Sequence, residues 1–298
     1  MTQEMLDPQD PQSTSEELHF GHFAEIPEYI EVNRELIQRL FQHLPNPFVL
    51  VDVATGTGLV PQLLIKEVER HGYTGTIIGI DPNPDSLAIA RERTPVSNTV
   101  TTEFILGYGQ ETDSLVSEKI PEEGVDAVTI HDAIHEVKGE QEKRKVFAAM
   151  ARILKPGGVL SYNSGFTTIA MRGSELDWGK LKARALRSLR KRRDRAIEAL
   201  KVHAPGEYGE MIRNQGLEIV HEKETEVSLT RKALMAISLY PEFISGFFRD
   251  MVDENSVSLQ RKYQALIDSI TNIKKDALPR IWHEIIAQKP PLRLKTPH

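Results

Sequence analysis

The feature that most restricts what this chain can fold into is an alternation of strand-length apolar runs with amphipathic helical stretches. "FVLVDVA", "GTIIGID", "TVTTEFILG", "VDAVTIHD" and "VLSYNSG" are the apolar runs; helical spacing separates them in "LVPQLLIKEVERHG", "PDSLAIARERT" and "EQEKRKVFAAMARILKPGG". Parallel strands need a long crossover, and an amphipathic helix supplies one that also covers the sheet. The alternation therefore predicts an α/β fold: a doubly wound, mostly parallel sheet with helices on both faces.

Around that core the chain divides by pattern. Residues 1–14 are polar and proline-bearing and read as a disordered leader. Residues 15–46 read as an N-terminal helical cap, because Tyr29, Ile30, Val32, Leu36, Ile37, Leu40 and Phe41 recur at helical spacing. Residues 47–165 form the core, 166–204 a basic helical insert, 205–229 the remainder of the core, and 230–298 a C-terminal helical region and tail. No antiparallel final strand is legible in residues 230–288. Their most apolar part, "ALMAISLYPEFISGFF", is expected to line a pocket or to form a homodimer face.

Composition removes several functions. A net charge of -6 and a pI near 6.0 argue against the broad basic surface that non-specific nucleic-acid binding needs. With no cysteine, thiolate nucleophiles, disulfides and Cys-ligated zinc are excluded, and a reducing compartment, the cytoplasm, is the expected location. No signal-like segment and no apolar stretch long enough to span a bilayer is present, so a membrane partner is not expected. No metal site is expected.

The first apolar run ends in "VDVATGTGLVPQ", residues 51–62. A tight glycine turn at the carboxyl end of the first strand lets a ligand approach the backbone, and the following helix aims free N–H groups at it. Gly56 and Gly58 suit that turn. Asp81, 23 positions after Gly58 at the end of the second strand, is placed to accept hydrogen bonds from a ribose. A dinucleotide site would carry a third glycine where this chain has Pro61, and Asp52 would repel a pyrophosphate. S-adenosylmethionine fits better, since it carries a sulfonium, an amino group and a ribose but no phosphate.

These stretches together resemble the class I S-adenosylmethionine-dependent methyltransferases. "VDVATGTG" resembles the family's first motif, with Ala54 in place of its first glycine; "IGIDPNPDSLAIAR" resembles the ribose-binding strand and helix. "VDAVTIHDAIHEV" resembles the fourth strand, and "ARILKPGG" before "VLSYNSG" the turn into the fifth. The resemblance covers roughly residues 30–165. It implies a cofactor site built from Asp52, Ala54, Thr55, Gly56, Gly58, Asp81, Pro82, Tyr108, Gly109, Gln110 and His131.

Methyl transfer is an in-line displacement, so the protein must align nucleophile, carbon and sulfur in a dry pocket and remove a proton from a hydroxyl or protonated amine. His135, just past the fourth strand, is the first candidate base, with Asp132, His131 and Glu136 placed to orient or replace it. His19, His22, Tyr29 and Phe166 are candidate substrate contacts. "IHDAIHEV" is not the motif of the family's exocyclic-amine nucleic-acid enzymes, and carbon-5 pyrimidine methylation needs a cysteine. The expected partner is a small-molecule methyl acceptor, methylated on oxygen in the first instance, with nitrogen and carbon open. The basic run "RALRSLRKRRDR" keeps an RNA or protein acceptor in view, and a non-catalytic binding module on the same fold is the remaining alternative.

Overall fold

The computed structural model describes residues 21–194 and 202–291. The expected leader, His19, Ile197, Leu200 and the end of the tail lie outside the described residues. The strands are β1 (Phe48–Val53), β2 (Gly75–Asp81), β3 (Val100–Leu106), β4 (Val125–His131), β5 (Leu154–Ser164), β6 (Glu218–Thr230) and β7 (Ala277–Gln288). They form one sheet in the order β3-β2-β1-β4-β5-β7-β6. β1 to β5 run parallel, while β7 is antiparallel to both β5 and β6.

Before β1 stand α1 (Gly21–Ala24) and α2 (Pro27–Phe41); the crossovers that follow are α3 (Leu59–His71), α4 (Pro84–Arg93), α5 (Thr112–Val116) and α6 (Glu140–Ile153). α7 (Glu175–Ser188) and α8 (Pro205–Arg213) separate β5 from β6; α9 (Arg231–Ile237), α10 (Pro241–Phe248) and α11 (Leu259–Thr271) separate β6 from β7. Neighbouring strand residues feed opposite layers, as the pleat requires. Leu50 and Ile77 pack with Leu36, Leu40, Leu64 and Val68, whereas Val51 and Ile78 pack with Phe147, Met150 and Tyr208. Helices therefore cover both faces, as the alternation predicts.

Local signals set the ends of the elements around the first turn. Gly58 and Gly72, both left-handed, bracket α3, and the Gly72 N–H closes the last turn onto Glu69 and Val68 carbonyls. α4 starts with Pro84 and is capped by Asn83, whose side chain accepts from the Asp85 and Ser86 N–H groups.

The helical reading of residues 230–288 holds for α9 to α11 and fails at Ala277–Gln288, which is β7. This strand lies inside the sheet, between β5 and β6, and is buried on both faces. Its polar members have internal partners: Thr225 Oγ1 donates to Glu284 at 2.5 Å, and His283 Nε2 meets Glu222 at 2.9 Å. The apolar run 233–248 is largely internal, with Leu234, Ile237, Phe243, Ile244 and Phe248 buried in a cap cluster beside Trp178 and Trp282. In the basic insert, Trp178, Leu181, Ala185 and Leu186 face that cluster, while Leu176 is exposed. Among the described residues no helix is long and apolar enough to cross a membrane.

Candidate functional site

In this strand order the chain reverses direction of travel across the sheet between β1 and β4, and a crevice opens where their carboxyl ends diverge. A cavity of about 800 Å³ occupies it, within the range of ligand sites. Its floor is the turn after β1. Asp52 is 1% exposed, accepts from Thr55 Oγ1 at 2.6 Å and Thr129 Oγ1 at 2.5 Å, and is pushed up to about 7 by burial, with nearby Asp81 adding to the rise.

The turn is left-handed at three positions: Ala54 (φ +54°), Gly56 (φ +53°) and Gly58 (φ +83°). An L side chain there costs about 1 kcal/mol or more, so Ala54 holds a strained conformation directly beneath the cavity. The two glycines have different reasons. A Cβ on Gly58 would meet Ala90 Cβ and Thr94 Oγ1 at 3.2 Å, so Gly58 lets α3 and α4 approach. A Cβ on Gly56 would meet nothing within 4 Å, because that side of Gly56 is open beside the cavity.

Asp81 ends β2 with both carboxylate oxygens engaged: Oδ2 accepts the Gly56 N–H at 2.8 Å and Oδ1 the Asn83 N–H at 2.9 Å. Burial raises it, and these two donors oppose the rise. Pro82, Tyr108, Gly109 and Gln110 line this end of the cavity. Asn83, Ser86, Ile89 and Glu142 line it too and were not foreseen. The α4 capping signal at Asn83 was the clue to Asn83, Ser86 and Ile89, because a helix N-terminus at a strand end faces the ligand, whereas nothing in the sequence marked Glu142 on α6.

At the end of β4 the candidates separate. His131 lines the cavity, but both ring nitrogens are engaged: Nδ1 with Asn33 Oδ1 at 3.1 Å and Nε2 with Ser161 Oγ at 2.9 Å. Burial brings it down to about 3, so it is neutral and serves as a fixed bridge rather than a proton acceptor. Asp132, at φ +52°, accepts from the Gly165 N–H at 2.6 Å. Burial pushes its carboxyl up to about 6, against the pull of that donor and of Arg280.

His135, the first candidate base, lies outside the cavity lining. Its ring stacks on Phe166 with centroids 3.9 Å apart, and burial, followed by the charges of Lys143 and Arg280, brings it down to about 3. Phe166 is likewise packing, not a wall of the cavity. The next residue, Glu136, does line the cavity; burial and the charges of Glu242, Asp81 and Asp132 push it up to about 7, and it accepts a hydrogen bond from the Tyr240 hydroxyl.

The roof comes from both helical additions. Gly21, Ala24 and Tyr29 come from α1 and α2, and Tyr240, Pro241 and Glu242 from the start of α10. His22 is absent from the lining. Tyr240 and Glu242 were not singled out in the sequence, although the apolar run 233–248 that carries them was expected to line a pocket. Among the described residues no group of three His, Asp or Glu side chains is placed to hold a metal ion.

Residues 51–162 match the methyltransferase-domain family. No curated protein matches the chain in sequence. Among solved structures, loganic acid methyltransferase with S-adenosylhomocysteine shares 10% identity at TM-score 0.56, over 91% of this chain and 94% of that one. A cyclopropane synthase of Mycobacterium tuberculosis shares 16% identity at TM-score 0.53, over 91% and 96%. A mycolic acid cyclopropane synthase, complexed with S-adenosylhomocysteine and CTAB, shares 15% at TM-score 0.51, over 92% and 96%. The fold is that of class I S-adenosylmethionine-dependent methyltransferases. The matched segment is a methyltransferase domain by that likeness.

Proposed function

We propose that this protein is an S-adenosylmethionine-dependent methyltransferase acting on a small molecule, transferring the methyl group to an oxygen or nitrogen that gives up a proton to Glu136. The observation that carries this reading is the position of Glu136, the one group on the Ile134–Val137 turn that joins an opening onto the cavity to a carboxyl pushed up to about 7. A base with that value is matched to neutral pH.

The residues fit the cofactor. Asp81 has two acceptor oxygens for ribose hydroxyls, the open side of Gly56 admits an adenosyl group close to the backbone, and Asp52 offers negative charge with no phosphate to repel. The cofactor supplies an activated methyl on a positively charged sulfur. The chain's own residues orient and enclose: His131 Nδ1 and Asn163 Nδ2 both bond Asn33 Oδ1 beside the cavity, which ties α2 to β4 and β5. Tyr240, on the roof, holds Glu136 in place. Asp132 acts as a positioning residue, tying the end of β4 to Gly165.

A small acceptor is favoured over a nucleic acid because the cavity is acidic and roofed. The basic insert does not reverse this, since much of its charge is spent internally: Lys182 and Arg193 pair with Asp250, and Arg184 donates to the Asn272 carbonyl. The test is methyl transfer from labelled cofactor to a panel of small hydroxyl and amine acceptors. Turnover that Glu136→Gln lowers by about 10²-fold or more supports the reading. Turnover only on RNA or protein, lost on charge reversal at Arg190, Arg192 and Arg193, overturns it.

A further inference from the structure

We propose that Lys143, on α6, is a positioning residue: its ammonium clamps the carbonyls of the Ile134–Val137 turn and so holds the Glu136 carboxyl at the cavity wall. The inference rests on the methyl-transfer reading above, in which Glu136 is the base, and adds the residue through which that base is aimed.

The place of Lys143 in its helix is the first observation. At helical spacing residue 143 belongs with Val146, Phe147 and Met150, the face that α6 buries in the core. Packing alone calls for an apolar side chain there. Arg144 and Lys145 turn outward and pair with Glu140 and Glu142, whereas Lys143 turns inward and is 4% exposed. An ammonium in that place loses its hydration, and the loss is offset only by acceptors that meet its three protons.

The acceptors are the second observation. Lys143 Nζ donates to the Ile134 carbonyl at 2.8 Å, to the His135 carbonyl at 3.3 Å and to the Val137 carbonyl. All three belong to one turn, whose own closure is two backbone bonds, from the Glu136 N–H to the Ala133 carbonyl and from the Val137 N–H to the Ile134 carbonyl. The His135 ring is held separately, stacked on Phe166, and the Arg280 guanidinium lies 4.5 Å from the Phe166 ring. With its carbonyls and His135 fixed, the turn presents Glu136 as its ionisable side chain on the cavity.

Charge acts in the same direction. Burial brings the Lys143 ammonium down to about 8, and the Glu136 charge opposes that fall, so the ammonium persists at neutral pH. The attraction is mutual and favours the Glu136 carboxylate. The same ammonium adds to the burial that keeps His135 neutral.

The experiment is a carbon-13 NMR titration of the full-length protein, labelled at its glutamate carboxyls and saturated with S-adenosylhomocysteine, whose own binding is measured first by calorimetry. Loss of one signal in Glu136→Gln identifies Glu136. Lys143→Met removes both charge and donors. It should move the Glu136 midpoint up by about 1 pH unit and speed hydrogen exchange at the Glu136 and Val137 amides by about ten-fold or more. Lys143→Arg keeps the charge and should leave the midpoint close to the wild-type value, a separation that packing alone does not give. Should Lys143→Met not bind S-adenosylhomocysteine, Lys143→Gln takes its place, and the same rise in midpoint is expected. An unmoved midpoint in the neutral variant, or an equal rise in Lys143→Arg, overturns the proposal and leaves methyl transfer intact. Loss of S-adenosylhomocysteine binding in all three variants also overturns it, since Lys143 would then serve the fold alone. A wild-type midpoint near the ordinary glutamate value of about 4.3 overturns the base reading, and failure of S-adenosylhomocysteine to bind the wild type overturns methyl transfer; this proposal falls with either.

Discussion

The Tyr240 hydroxyl donates a hydrogen bond to the Glu136 carboxylate, joining the start of α10 to the turn after β4 across 104 residues of sequence. One contact thus closes the roof of the cavity and sets the protonation of the group proposed to act as base.

Removing that donor should make Glu136 harder to ionise, because the Tyr240 hydroxyl opposes the rise caused by burial. Tyr240→Phe is therefore expected to move the acid limb of kcat/KM to higher pH and to lower activity at pH 7 by roughly 10- to 100-fold, the range set by one hydrogen bond to a charged group. The pH profile checks this, since loss of roof packing alone would lower activity without moving the limb.

Glu136 works as the carboxylate, so activity should be absent well below its value and gained as pH rises through about 7. Glu136→Gln should be slow and flat across that range. His135→Asn should keep the limb where it is, because His135, already brought down to about 3, stays neutral throughout. A limb that disappears in His135→Asn would return the base role to the histidine.

Cofactor affinity should carry a pH dependence of its own. Asp52, pushed up to about 7, gains negative charge as pH rises through that value, and this favours a cationic ligand. S-adenosylmethionine is expected to bind more tightly at pH 8 than at pH 6, while neutral-sulfur S-adenosylhomocysteine changes less. Parallel titrations of the two at both pH values give the comparison.

The two glycines of the turn should fail in different ways. Gly58→Ala strains the backbone and crowds Ala90 and Thr94, so it is expected to lower stability by about 1–3 kcal/mol. Gly56→Ala has similar backbone strain but open space around its methyl, beside the cavity, so its larger effect should be on cofactor affinity. Thermal unfolding with and without S-adenosylhomocysteine separates them.

Most of the cofactor half was legible because local rules govern it: a strand, a glycine turn, a helix and an acid at the next strand end are all neighbours in sequence. β7 was not, because Pro279, Arg280, His283 and Glu284 break its apolar run. The burial of His283 and Glu284 becomes affordable only once Glu222 and Thr225 of β6 lie alongside. The proposed base was hard to read for a similar reason. "IHEV" places His135 and Glu136 side by side, and only the packing of Phe166 on His135 decides which of them faces the cavity. Tyr240 and Glu242 reach the site through folding of a segment whose apolar character suggested a pocket wall without saying which side chains face it.

The central claim is that the cavity between β1 and β4 holds S-adenosylmethionine through Asp81. The direct measurement is calorimetric titration of the cofactor into the wild-type protein and into Asp81→Ala. The account predicts micromolar binding by the wild type and a loss of about 1.5–3 kcal/mol, roughly 10- to 150-fold in Kd, in the variant. No binding by the wild type, or equal binding by both proteins, would contradict it.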